Sequence, residues 1–252
     1  NSCVLRRLVT KAQAHDRDLV SLMVRLHASG FWARLLIPPF VLFFRMLYPF
    51  AWANRPGTRT AAAAGGCVLL RRAALERAGG FAAIAGALID DCALAARVKH
   101  RGRAGAGRIW IGQADASESL RAYRGLEEIW RMVARSGYAQ LGFSPLVLTA
   151  TVLAMALIFL LPPAAFLAWP LHGQVAAGSL GAVGWAAMTV AAMPTFRHYG
   201  QHPARCLLLP VAAAVYAAMT LDSARAYHAG RGGLWKGRAQ AHAGAARSGG
   251  SG

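Results

Sequence analysis

The sequence predicts an α/β domain followed by membrane helices. Three observations lead there. Over residues 1–143, short Leu- and Val-rich runs alternate with stretches of helical spacing, the pattern of a mixed α/β domain. From Leu146 to Trp169, and again from Leu171 to Phe196, there is no Asp, Glu, Lys or Arg. About 20 apolar residues are enough to cross a bilayer. Hydrophobic residues make up 56% of the chain and charged residues 15%, too apolar for a disordered protein and high for a soluble one.

The elements follow in order. Residues 4–15 place Val4, Leu5, Leu8 and Val9 at helical spacing. "DLVSLMVRL" (18–26) is short and rich in Leu and Val, and reads as a strand. Residues 31–54 are aromatic and apolar, but Pro38, Pro39 and Pro49 break them and Arg34 and Arg45 charge them. Aromatic residues favour the membrane interface, so an amphipathic segment lying on the membrane is expected over 31–53. A loop over 54–66, a strand over 67–72 and a short helix over 73–80 come next, the last ended by glycine. A helix is expected from Asp90 to Gly102 and a strand over 108–112. Residues 124–142 read as one amphipathic helix, with Leu126, Ile129, Trp130, Val133 and Leu141 on one face.

Residues 144–221 form the membrane region. The third uncharged run, Cys206 to Leu221, has 16 residues and contains Pro210. A third span would export the basic tail, 222–252, against the rule that positive flanks stay cytoplasmic. A re-entrant or interfacial segment is therefore expected there, with the tail in the cytoplasm. The closing "AGAARSGGSG" is low-complexity.

The net charge of +18 does not point to nucleic acid. The basic residues are scattered and flank apolar runs, where lipid already accounts for them. Cys3, Cys67, Cys92 and Cys206 form no C-x-x-C pair, so neither a disulfide framework nor a zinc site follows. His198 and His202 have i, i+4 spacing, but Gly200 and Pro203 spoil the helix that a metal would need. The chain begins with Asn1 rather than Met, and an N-terminally truncated piece is the expectation.

Chemistry concentrates at "ALIDDCALAARVKHRG" (87–102). Ten acidic residues face 28 Lys and Arg in this chain, yet Asp90 and Asp91 are adjacent. One reading is helix capping, because Asp accepts the free N–H groups of a first turn. The other is a general base, because burial and a neighbouring carboxylate raise a carboxyl's pKa towards the range where it takes a proton from a hydroxyl. The two are compatible.

Several blocks in order carry a resemblance: "AAAAGGCVLLRRAALERAGGF" (61–81), "LIDDCALAARVKHRG" (88–102), "SLRAYRGLEEIWRMVARSGYAQL" (119–141) and "TLDSARAYHAGRGGLWKGRA" (220–239). Together they resemble the later part of a family 2 glycosyltransferase with the GT-A fold. In particular they resemble the membrane-bound hopene-associated group, related to ceramide glucosyltransferases. The resemblance implies the C-terminal part of a GT-A domain followed by transmembrane helices. It implies inverting transfer of a sugar from a nucleotide-sugar donor to a lipid hydroxyl, with hopanoid as the suggested lipid. It implies Asp91 as the base with Asp90 beside it, and Gly65 and Gly66 by the acceptor pocket. Of a Q-x-x-R-W element that helps hold diphosphate, "MVARS" (132–136) keeps Arg135. Trp235 and Arg238 of "WKGR" (235–238) would close over the donor. A divalent metal, Mg or Mn, is implied for the intact enzyme. "HDRDLVSL" (15–22) carries Asp16-Arg17-Asp18, but it precedes a strand instead of ending one, so the metal ligands are expected outside this chain. The implied location is a bacterial inner membrane, multi-pass, with the catalytic domain on the cytoplasmic side. The alternative is a non-catalytic membrane protein that keeps the fold.

Overall fold

The computed structural model of the protein describes residues 2–100, 107–231, 234–235 and 238–239. Two compact units emerge: Asn1–Leu126 with Val190–Cys206, and Glu127–Thr189 with Leu207–Gly252.

The first unit is mixed α/β. Helix α1 (Ser2–Ala14) leads into β1 (Leu19–Arg25), the centre of a three-stranded sheet. β2 (Val68–Leu70) pairs antiparallel on one side of β1, and β3 (Ile109–Glu118) pairs parallel on the other. The first three residues of β1 are all buried, which explains a continuous apolar run where a half-exposed strand would alternate. Asn54 covers the open edge of β3. Its amide oxygen accepts from the Ile111 N–H (2.7 Å) and its amide nitrogen donates to the Ile111 carbonyl (3.0 Å), so one side chain replaces a missing strand partner. Helices α4 (Arg72–Arg77) and α5 (Asp90–His100) pack Ala74, Ala78, Leu94, Ala95 and Val98 against Leu19 and Ile109.

Residues 31–53 depart from the sequence expectation in one respect. Helix α2 (Phe31–Leu47) runs through Pro38 and Pro39, and Ala33, Leu35 to Pro39 and Val41 are buried. An internal proline loses a helix hydrogen bond and clashes with the preceding turn, and this buried face supplies compensating contacts. One face of the segment thus belongs to the protein core, while Phe31, Trp32, Met46 and Leu47 stay exposed. A short helix α3 (Phe50–Ala53) follows.

In the second unit, the helix expected over 124–142 is broken. α6 (Leu126–Ala134) stops, and a single 3-10 turn follows at Ala139–Leu141. Gly137 marks the break: a Cβ there would sit 3.2 Å from the Val133 carbonyl oxygen and 3.5 Å from Thr220 Cα. The Tyr138 N–H leaves the helix pattern and donates to Ser223 Oγ (3.0 Å).

Among the described residues, three helices are long and apolar enough to cross a membrane: Pro145–Leu167, Val175–His198 and Pro203–His228. The first comprises α7 (Pro145–Met155), a π-turn (Ala156–Leu160) and α8 (Leu161–Leu167). Pro162 and Pro163 follow the π-turn. Neither can donate to the preceding turn, so the ladder widens upstream of them. A short α9 (Trp169–His172) precedes α10 (Val175–His198). The third helix is longer than the uncharged run that suggested a short segment. Its α-helical part, α11 (Leu209–His228), continues past Leu221 through Asp222. The Trp130 indole N–H donates to the Asp222 carboxylate (2.7 Å), so the charge that ends the apolar run is satisfied inside the fold.

Candidate active site

The site is built on the first unit. Residues 61–64, "AAAA", carry no regular structure and are buried between β1 and the start of α5, and Gly65 and Gly66 form a turn. Small residues are needed here because the backbone itself packs against both neighbours. Ser21 of β1 fixes this segment in register: its hydroxyl accepts from the Ala64 N–H (2.8 Å) and lies 3.1 Å from the Ala64 carbonyl, to which it donates. One residue on, the Gly65 N–H donates to Asp91 Oδ2 (2.8 Å). A Cβ on Gly65 would sit 3.2 Å from that oxygen. A Cβ on Gly66 would meet Val24 at 3.1 Å.

Both acids fall in the first turn of α5. Asp90 Oδ1 accepts from the Asp91 N–H (3.0 Å), and Asp91 Oδ1 accepts from the Cys92 N–H (2.7 Å). The carboxylates therefore do satisfy free N–H groups at a helix start, where negative charge is also favoured by the helix dipole. They differ in exposure, Asp90 being exposed and Asp91 half-buried. Burial raises the pKa of Asp91 above the ordinary carboxylate value; the N–H groups of Gly65 and Cys92 pull it down, and the Asp90 charge pushes it up. The net direction is upward.

Beside Asp91 lie two groups that the sequence did not single out. The Cys92 thiol is buried and donates to the Ala63 carbonyl (3.6 Å). Burial first, and then the Asp91 charge, push its pKa up to about 12. The Tyr48 hydroxyl hydrogen-bonds Cys92, and burial, Cys92 and Asp91 together raise its pKa. Both groups remain protonated at neutral pH. Tyr48 and Cys92 also line an open groove of about 470 Å³ with Leu47, Arg59, Thr60 and Ile89. Tyr48 was hidden in a stretch read as membrane-facing, and Cys92 carries no motif.

The structure brings together Asp90, Asp91, Gly65 and Gly66. Arg135, Trp235 and Arg238 belong to the second unit. Arg135 is half-buried just after α6. Trp235 and Arg238 pair across a two-stranded ladder of β4 (Leu234–Trp235) and β5 (Arg238–Ala239).

Asp16 and Asp18 do not fit a metal. Asp18 is buried, with Arg77 at 3.0 Å and Arg71 at 4.0 Å, and its other oxygen accepts from the Arg108 N–H. Asp16 pairs with Arg71 at 2.9 Å and Arg108 at 3.7 Å. Cations already neutralise both carboxylates. His202 Nδ1 accepts from the Ala204 N–H (3.2 Å) and caps the turn that begins the third apolar helix. Among the described residues, no group of three or more His, Cys, Asp or Glu is placed to hold a metal.

Comparison with curated proteins returned no match, and comparison with solved structures returned none either. A family profile does match, over nearly the whole chain. The resemblance read from the sequence named family 2; the matching profile is that of glycosyl transferase family 21, over residues 3–237. That span includes the acidic pair, the small-residue segment that holds it and all three apolar helices, and the chain belongs to glycosyl transferase family 21.

Proposed function

We propose that this protein works at a membrane surface, moving a sugar from a nucleotide-sugar donor to the hydroxyl of a lipid acceptor, with inversion at the anomeric carbon. One observation carries the reading. In a chain of this family, Asp91 is a half-buried carboxylate with a raised pKa, gripped by two backbone N–H groups beside a mostly apolar groove.

The chemistry follows from that geometry. The acceptor's apolar body lies along the groove and presents its hydroxyl to Asp91. As the hydroxyl oxygen attacks the anomeric carbon, Asp91 takes its proton. The bond from that carbon to the diphosphate breaks, and the nucleoside diphosphate leaves with the electron pair. The Gly65 and Cys92 N–H groups hold the carboxylate in one orientation, which lowers the entropic cost of the attack. Positive charge stabilises a departing diphosphate, the part the resemblance suggests for Arg135 and Arg238, with Trp235 as an uncharged cover over the donor. Asp90 modulates Asp91 through its charge. Hopanoid or another terpenoid alcohol is the proposed acceptor, and a bacterial inner membrane the proposed location.

The test uses membranes holding the full-length protein, radiolabelled nucleotide sugars and added lipid alcohols. Label entering an organic-extractable product, and absent from membranes without the protein, is the expected result. No lipid product from any donor or alcohol would overturn the reading in favour of a non-catalytic membrane protein that keeps the fold.

A further inference from the structure

Lys99 is the most unusual ionisable residue in the first unit. It lies in the last turn of α5 and is 1% exposed. A buried ammonium is costly unless its three N–H donors are all satisfied. Here Nζ donates to the Thr60 carbonyl (2.6 Å), the Ala53 carbonyl (2.9 Å) and Thr58 Oγ1 (3.0 Å), with the Trp52 carbonyl at 3.4 Å. All four oxygens are uncharged, and all belong to residues 52–60. Burial holds the ammonium below its usual pKa, yet the cage suits the charged form because every contact is an acceptor.

The position of that cage gives it a consequence. Residues 52–60 lead directly into Ala61 to Gly66, and Arg59, Thr60 and Ala61 line the groove. The opposite wall comes from α5 itself, through Cys92, Ala93 and Ala96. Segment and helix are therefore fastened at both ends of α5, with the Cys92 thiol also bonding the Ala63 carbonyl near its start. At the start of α5, Asp91 receives the Gly65 N–H. Eight residues on, roughly 12 Å along the helix, Lys99 gathers residues 52–60. The first fastening holds the base. The second ties residues that lead into the groove lining to the end of α5.

We propose that Lys99 is a positioning residue for the transfer: by clamping residues 52–60 to α5 it fixes the width of the groove that receives the acceptor. The inference rests on the transferase reading for its kinetic test. A structural readout separates its failure from the failure of that reading.

The variant is Lys99→Met, which keeps the aliphatic stem and removes the donors. In membranes holding the full-length protein, the acceptor KM is expected to rise roughly tenfold, the scale of one net hydrogen bond to a charged group. The donor KM should stay within about twofold, and the acid limb of the pH profile set by Asp91 should not move. An acceptor KM unchanged from wild type, or donor and acceptor KM rising in parallel, would overturn the proposal. If Lys99→Met does not accumulate, Thr58→Val removes one acceptor of the cage from a half-buried site; a roughly threefold rise in acceptor KM is expected, and no rise refutes the clamp. Hydrogen exchange is read in either variant. Faster exchange of the amides over 52–61 supports the clamp even where wild type shows no transfer, and unchanged exchange there overturns it.

Discussion

At the scale of single residues, two adjacent acids differ because one is buried against a glycine and the other is not. As the proposed base, Asp91 would act only when ionised, and its raised pKa would put the acid limb of the rate profile above the ordinary carboxylate value of about 3.9. The rate should therefore fall on the acid side at a higher pH than a solvated aspartate would set, and a pH–rate profile of transfer checks it. The sign for stability is opposite. A folded carboxyl with a raised pKa favours the protonated folded state, so its contribution is full below the unfolded pKa and is lost as pH rises through the folded one. Gly65 gives a second test. Its missing Cβ leaves room for Asp91 Oδ2, and Gly65→Val should push the carboxylate aside and lower kcat about a hundredfold, the usual result of a displacement near 1 Å. Steady-state kinetics beside a melting curve separates this from unfolding. Adjacent acids in a chain poor in acids are legible in a sequence. Lys99 is not, because nothing in "RVKHRG" distinguishes a lysine held by four oxygens from one in water.

At the scale of elements, the strands and short helices of the first unit follow the hydrophobic pattern closely. β1, β2 and α5 lie within the runs that the sequence marks, and α4 starts one residue before its run. The failures have local causes. α6 ends early because Gly137 and the Tyr138 N–H turn towards α11, a contact between residues far apart in sequence. α11 outlasts its uncharged run because the Trp130 indole N–H donates to the Asp222 carboxylate. The first two apolar helices meet through glycine: a Cβ on Gly181 would lie 2.6 Å from the Pro162 carbonyl oxygen and 2.7 Å from the Phe166 nitrogen, both backbone atoms that cannot swing away. Gly181→Leu should therefore separate α8 from α10 and destabilise the second unit by about 1–3 kcal/mol or more. Thermal unfolding in detergent measures it, and an unchanged midpoint would refute the contact. The hydroxyls of Thr149, Thr189 and Thr220 each bond a carbonyl four residues earlier in their own helices. These bonds satisfy the hydroxyls within their own apolar helices.

At the scale of the whole molecule, the three apolar helices carry many exposed large side chains, including Leu146, Leu153, Leu157, Leu161, Leu180 and Val183. Surfaces of this kind are stable against lipid and not against water. The protein should stay with membranes through alkaline carbonate washing and leave only with detergent; release by carbonate would contradict spanning helices. A third helix long and apolar enough to span reopens the side of the basic tail, which the sequence placed in the cytoplasm by treating Cys206 to Leu221 as too short. Accessibility of a C-terminal tag in sealed vesicles decides between the two sides.

The central claim is that Asp91 is the base, and one comparison tests it most directly. Wild type, Asp91→Asn and Asp90→Asn are assayed for transfer of labelled sugar to lipid in membranes holding equal amounts of full-length protein. The asparagine keeps the shape of Asp91 and one acceptor for the Gly65 or Cys92 N–H, but it cannot take a proton. Asp91→Asn should lose transfer by roughly 10²–10⁴-fold, the range for a general base, while Asp90→Asn loses far less. Transfer near the wild-type rate in Asp91→Asn would contradict the account and leave the acidic pair as a helix cap.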